Sequence, residues 1–185
     1  MSTPLKKTHS PILLSPHWLI AAMVLIVVSA NVLVQFPIGE WLTWGAVTYP
    51  VAFLITDIAN RFHGLKIARR VLYVGFFMAV ILSFYFSTVR IALASGTAFL
   101  IAQLLDVQVF DRLRDGSWWQ APLVSTSIGS IVDTTLFFTI AFYGTAVPWI
   151  SLAFGDFIVK FVLALLMLVP FSVAHKSYLA TTRSS

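Results

Sequence analysis

Six stretches of about twenty residues each, almost wholly apolar and broken only by single polar side chains, dominate this sequence. A helix rises about 1.5 Å per residue, so a run of about 20 apolar residues matches the hydrocarbon core of a bilayer. The runs fall at about 17–36, 42–62, 67–86, 90–110, 121–143 and 148–174, with short loops between them, and predict a single membrane domain over residues 1–185. In lipid every backbone polar group must be satisfied within the segment, which makes these runs helices. Only 10% of residues are charged and 59% are hydrophobic, against about 25% charged in soluble domains. A soluble enzyme, a disordered chain and a nucleic-acid-binding domain are excluded. The expected fold is all-α: a polytopic membrane protein with six transmembrane helices.

The first run follows Lys6 and Lys7, and Val28-Ser29-Ala30 has the small residues of a signal-peptide cleavage site. Its apolar stretch continues through Val32, Leu33 and Val34, which favours a spanning helix. Pro50 predicts a kink in the second run, and Pro170 lies near the end of the sixth.

Charge sets the orientation. Ten of the twelve basic residues (Lys6, Lys7, Arg61, Lys66, Arg69, Arg70, Arg112, Arg114, Lys176 and Arg183) fall in the two terminal segments and in the second–third and fourth–fifth loops. The opposite loops hold none beyond Arg90, at a helix end. That alternation obeys the positive-inside rule for both termini cytoplasmic, and all six tryptophans fall near span ends. The net charge of +5 therefore reads as loop charge, and no nucleic-acid partner is expected. Without cysteine there is no disulfide, thiolate metal site or cysteine nucleophile. The histidines at 9, 17, 63 and 175 form no pair at helical spacing, so no metal or cofactor is expected. Ala92, Gly96 and Ala98, with Ser125, Gly129 and Ser130, make small-residue stripes for close helix packing. A homodimer packed through such stripes is compatible with the sequence.

Polar groups at membrane depth are expensive and mark function. Asn31, Gln35, Arg90, Asp133, Asp156 and Lys160 form one set, with Asp133 and Lys160 near the midplane by their place in the runs. Asp57, Asn60, Arg61, Gln103 and Asp106 form an inner set. Asp156 and Lys160 are four residues apart and share a helix face, as do Asn31 and Gln35. Structurally, the first pair is a self-neutralised ion pair and the second a set of inter-helix hydrogen bonds. Functionally, both line a cavity. Asp133 has no cation within its own helix and needs Lys160, Arg90, a proton or a ligand. Trp44, Tyr49 and Phe53 read as anchoring and packing residues or as a stacking surface. A cavity of this chemistry suits a planar, hydrogen-bonding small molecule: a carboxylate can accept adjacent N–H donors, and an amide or cation can meet a carbonyl.

The string of motifs resembles the bacterial queuosine precursor transporters, within the wider group of vitamin-uptake-like membrane proteins. The resemblance runs through Asn31-Val-Leu-Val-Gln35-Phe-Pro37, Thr43-Trp44-Gly45-Ala46 and Thr56-Asp57-x-x-x-Arg61-x-x-Gly64, then Ala68-Arg69-Arg70 and Arg90-Ile91-Ala92. It continues through Gln103-x-Leu105-Asp106-Val107-x-Val109-Phe110-x-Arg112-Leu113-Arg114, Trp118-Trp119-x-Ala121-Pro122, Ser125-Thr126, Val132-Asp133-Thr134 and Asp156-x-x-x-Lys160. The connection near Ser87–Arg90 is short for the family. The resemblance implies uptake of 7-cyano- and 7-aminomethyl-7-deazaguanine, precursors of a modified tRNA base, across the bacterial inner membrane. On this basis Asp133 and Asp156 would take the base's N–H donors. Lys160, Arg90, Asn31 and Gln35 would meet its acceptors, and Trp44 or Tyr49 would stack. Asp57, Arg61, Arg69, Arg70 and Asp106 would form a cytoplasmic gate.

The main alternative is a substrate-capture subunit of an energy-coupling-factor importer for a vitamin or purine, which would need partner subunits. An intramembrane aspartyl protease is disfavoured. Ala153-Phe154-Gly155-Asp156 lacks the first glycine of a Gly-x-Gly-Asp motif, and neither a Ser–His nor a His-Glu-x-x-His arrangement exists. The chain is not expected to be an enzyme.

Overall fold

In the computed structural model, which describes residues 15–33, 37–38, 42–86 and 88–183, each apolar run carries one helix. These are α1 (Pro16–Leu33), α2 (Trp44–His63), α3 (Leu65–Phe86), α4 (Val89–Leu113), α5 (Gln120–Phe142) and α6 (Trp149–Arg183). Two-residue strands β1 (Pro37–Ile38) and β2 (Leu42–Thr43) pair antiparallel, Pro37 with Thr43 and Ile38 with Leu42, and turn the chain from α1 into α2. The fold is otherwise all-α.

Local sequence explains the boundaries. Gly64 alone separates α2 from α3: at φ +80° it adopts a left-handed conformation that a side chain would oppose, and its N–H reaches Asn60 O at 2.9 Å. Thr88 caps α4, its hydroxyl accepting from Ile91 N–H. Pro50 and Pro170 both lie inside continuous helices. Proline removes one ladder hydrogen bond, yet α6 runs on past Pro170 to Arg183, nine residues beyond the apolar run.

Helix α2 is the centre of the molecule and packs against all five others. The most extensive helix pair is α4 with α5, and α6 closes the other side against α5 and α2. One apolar cluster joins α1, α2, α3 and α4 around Met23, Ile55, Val71, Leu72, Phe99 and Val107; a smaller one joins α4, α5 and α6 through Phe110, Ala121 and Phe171.

Burial is inverted relative to a soluble protein. Phe77, Ile81, Phe84 and Tyr85 on α3, and Phe154, Leu166, Val169 and Val173 on α6, face outward. Thr56, Asp57, Asn60, Gln103, Asp106, Thr126, Asp133 and Lys160 lie inside. An outer surface of large apolar side chains is a lipid-facing surface. Four segments, Leu65–Tyr85, Val89–Leu113, Gln120–Phe142 and Trp149–Ala180, are long and apolar enough to cross a membrane. Helix α1 contributes a shorter apolar segment, Pro16–Ala30, and α2 carries Asp57, Asn60 and Arg61 along one end.

Candidate functional site

Polar residues gather at two levels along α5. At the first, Asp133 and Thr134 of α5 meet Asp156 and Lys160 of α6. The Lys160 ammonium, 7% exposed, donates to Asp133 Oδ2 at 2.7 Å and Thr134 Oγ1 at 3.2 Å, and lies 2.5 Å from Asp156 Oδ2. Thr134 in turn donates to Asp156 Oδ2 at 2.7 Å. An ammonium has three N–H donors, and these three partners match them in number. The i, i+4 spacing brings Asp156 to Lys160, and the packing of α5 on α6 adds Asp133. Two carboxylates on one ammonium leave the cluster with one formal negative charge. Asp156 is its most accessible charged member, with 20% of its side chain exposed.

The second level lies two turns away, where α2, α4 and α5 meet. The Thr126 hydroxyl lies 3.3 Å from Asp57 Oδ2 and 3.4 Å from Asp106 Oδ1. Beside them the Thr56 hydroxyl lies 2.9 Å from Phe53 O and 3.0 Å from Gln103 Oε1, and Asn60 Nδ2 donates to Val107 O at 2.7 Å, which ties α2 to α4. Gly129, one turn from each level on α5, permits the close approach. A Cβ there would stand 2.9 Å from the Phe53 ring and 3.3 Å from Asp106 Cβ.

The candidate substrate residues are thus divided. Asp133, Asp156 and Lys160 form one cluster. Arg90 stands apart: its Nε donates to Ile140 O at 2.9 Å and its Nη2 to Tyr143 O at 2.6 Å. It caps the C-terminal carbonyls of α5, two turns or more from Asp133. Asn31 lies on α1, and Trp44 and Tyr49 on the first half of α2, but their side chains, like the whole of Gln35, lie outside the described residues. Phe53, a packing or stacking candidate, is buried at the α2–α5 contact.

The gate residues also separate. Arg61 donates to the carbonyls of Arg114 and Trp118 and lies 5.3 Å over the Phe110 ring, while Arg114 Nη2 donates back to Arg61 O at 3.3 Å and Nη1 pairs with Asp111. Arg69 is half-buried and Arg70 exposed on α3. Among the described residues, no ion pair joins Asp57 or Asp106 to these arginines. The contacts of Thr126, Thr134 and Arg114 carry no signal in the sequence. A threonine's hydroxyl partner depends on the rotation of its helix, and a backbone clasp leaves no pattern in the order of charges. No cluster of histidine, cysteine, aspartate or glutamate able to hold a metal ion occurs among the described residues.

The relatives agree with the motif string. The family model described as "Putative vitamin uptake transporter" matches residues 43–89 and 83–174. The chain is 34% identical to the "Probable queuosine precursor transporter" of Haemophilus influenzae, over 83% of this chain and 83% of that protein. It is also 34% identical to the "Queuosine precursor transporter" of Escherichia coli, over 83% and 82%. The chain belongs to the queuosine precursor transporter family. A more distant relative from Bacillus subtilis, "Probable queuosine precursor transporter", shares 28% identity over 80% of this chain and 77% of its own length. No solved structure matches the chain. Family membership and the outward-facing apolar surface make this a multi-pass bacterial membrane protein, and its relatives are named as transporters, not enzymes.

Proposed function

We propose that this protein imports queuosine precursors, 7-cyano- and 7-aminomethyl-7-deazaguanine, through a site centred on Asp133, Asp156 and Lys160. The carrying observation is the buried Lys160 cluster in a chain 34% identical to transporters of that name over four fifths of its length. A carboxylate freed from Lys160 accepts the adjacent N–H donors of a guanine-like edge in bidentate fashion, and the released ammonium meets the ring carbonyl. The surplus negative charge favours the cationic aminomethyl compound. Asn31, Gln35, Trp44 and Tyr49 belong to the proposed site through the family resemblance, and Arg90 acts as a helix cap beside it. Arg61, Arg69 and Arg70 flank the proposed cytoplasmic end. All six helices span, with both termini cytoplasmic, as the basic loops prescribe.

The test is uptake of labelled deazaguanines into liposomes containing this protein alone. Exchange of internal for external label is expected for wild type and is expected to fall at least about tenfold in Asp133→Asn, equivalent to about 1.4 kcal/mol. Unchanged exchange in that variant removes Asp133 from the site. Uptake that appears only with partner subunits and ATP supports the capture-subunit reading instead.

A further inference from the structure

The two acids of the second polar level form no ion pair among the described residues. Asp57 is 2% exposed and Asp106 is fully buried. Their side chains come from α2 and α4 and lie within hydrogen-bonding reach of each other. Thr126 faces Asp57 Oδ2 and Asp106 Oδ1, but a hydroxyl carries one proton and serves one acceptor at a time. The remaining oxygens, Asp57 Oδ1 and Asp106 Oδ2, have no hydrogen-bond partner among the described residues. Two carboxylates sharing so dry a site cannot both ionise without strong mutual repulsion. One proton held between them removes a charge and supplies the missing donor.

The surrounding helices bring other polar groups to this level. Arg61, one turn from Asp57 on α2, directs its Nη atoms at the carbonyls of Arg114 and Trp118, and its buried Nε has no hydrogen-bond partner among the described residues. From α4, Gln103 has its oxygen 3.0 Å from the Thr56 hydroxyl and its amide nitrogen without a hydrogen-bond partner among the described residues. From α5, Ser125 lies within reach of Asp106 and has Pro122 O as its acceptor, while Asp133 is held by Lys160. From α6, His175 stacks on Phe171 near Arg61. A hollow between α2, α5 and α6, lined by Asp57, Thr126, Ala164 and Phe171 among others, has room for about one water molecule. A water molecule held there would stand beside Asp57 and give it a partner for proton exchange.

We propose that Asp57 and Asp106 together bind one exchangeable proton, and that this pair is the proton-coupling site of transport, separate from the substrate cluster at Lys160. The proposal rests on the transport reading above. The proton arrives from water in the hollow, adds to one carboxylate oxygen and hydrogen-bonds the other, and leaves by the same chemistry. Both levels sit on α5, and α6 carries Lys160 at one and Ala164 and Phe171 beside the other, so a substrate that disturbs the first level moves a wall of the second.

Two measurements on the full chain test this. Infrared spectroscopy of the purified protein at neutral pH is expected to show a protonated carboxylic acid band that shifts in heavy water and is lost in Asp106→Asn and in Asp57→Asn/Asp106→Asn. A wild type without the band, or a band surviving in the double variant, overturns the proposal whatever the substrate. In liposomes at zero membrane potential, an imposed pH gradient is expected to drive accumulation of the neutral 7-cyano compound by up to about tenfold per pH unit. Asp106→Asn is expected to bring the ratio to about one. Accumulation that ignores the pH gradient, or follows a sodium gradient, overturns the proton site while label exchange leaves the import reading intact. Failure of exchange together with a persistent infrared band in wild type that is lost in the double variant sinks the import reading and leaves the proton pair standing.

Discussion

The two polar levels on α5 bury acids in opposite ways. At Lys160 an ammonium sits between Asp133 and Asp156, and three charged side chains lock α5 to α6. At Thr126 two carboxylates from α2 and α4 share one neutral hydroxyl, with no basic side chain in ion-pair contact among the described residues. Charge pairing in a low-dielectric interior is costly to break, because removing one partner strands the other. A hydroxyl-bridged carboxyl pair changes by one proton and keeps its geometry. The first arrangement suits a latch that a competing ligand must open, and the second suits a reversible load.

Replacing Lys160 should test the contrast most severely. Lys160→Met leaves the buried Asp133 and the half-buried Asp156 without a counter-ion, and a loss of about 3 kcal/mol is expected in detergent unfolding. Removing the acids as well, in Asp133→Asn/Asp156→Asn/Lys160→Met, should restore most of that stability without restoring uptake. Equal unfolding of Lys160→Met and wild type would show that the cluster does not hold α5 to α6.

Gly129 separates the levels and should give the next largest effect. Gly129→Leu forces a side chain against the Phe53 ring and Asp106, and should cost about 1–3 kcal/mol. Gly96 faces α3, where an added Cβ would meet Val80 and Phe76 at ordinary contact distances of 3.7 and 3.8 Å, so Gly96→Ala should be nearly neutral. A reversed order in melting temperatures would place the tight helix contact elsewhere.

The hydroxyls sharpen the comparison at the small end. Thr126→Val removes the one donor facing both acids and should cost about 1–2 kcal/mol, since buried acceptors are left unmet. Thr134→Val should cost less, because Asp156 keeps Lys160. Equal losses by chemical denaturation would mean that the two levels respond alike and that their difference is only formal.

Much of this architecture is legible in the residues. Apolar runs set the helices, and i, i+4 spacing alone pairs Asp156 with Lys160. For Asp133 the residues leave four candidate partners open, and helix packing selects Lys160. Arg90 cannot be read as a cap from its position, because its acceptors exist only where α5 happens to end, at Ile140 to Tyr143. Depth alone groups Asp57 and Asp106 with the nearby arginines, yet their contact depends on how α2 crosses α4. Rotation and crossing are set by whole surfaces such as the groove at Gly129, which no single residue spells out.

The exchange of backbone contacts between Arg61 and Arg114 has a mechanical consequence. Each guanidinium grips the other's main chain, so the end of α2 and the turn leaving α4 are bolted across the molecule. Parts joined in this way are expected to travel as one block, and α6, the least buried of the four long apolar segments, is the member expected to move against it once the Lys160 cluster opens. A cross-link between the ends of α2 and α4 should therefore leave uptake running, whereas one between α5 and α6 should stall it; the opposite pattern would refute this division. The transporter would then work less like a pair of rocking halves than like a fixed frame with one sliding bar.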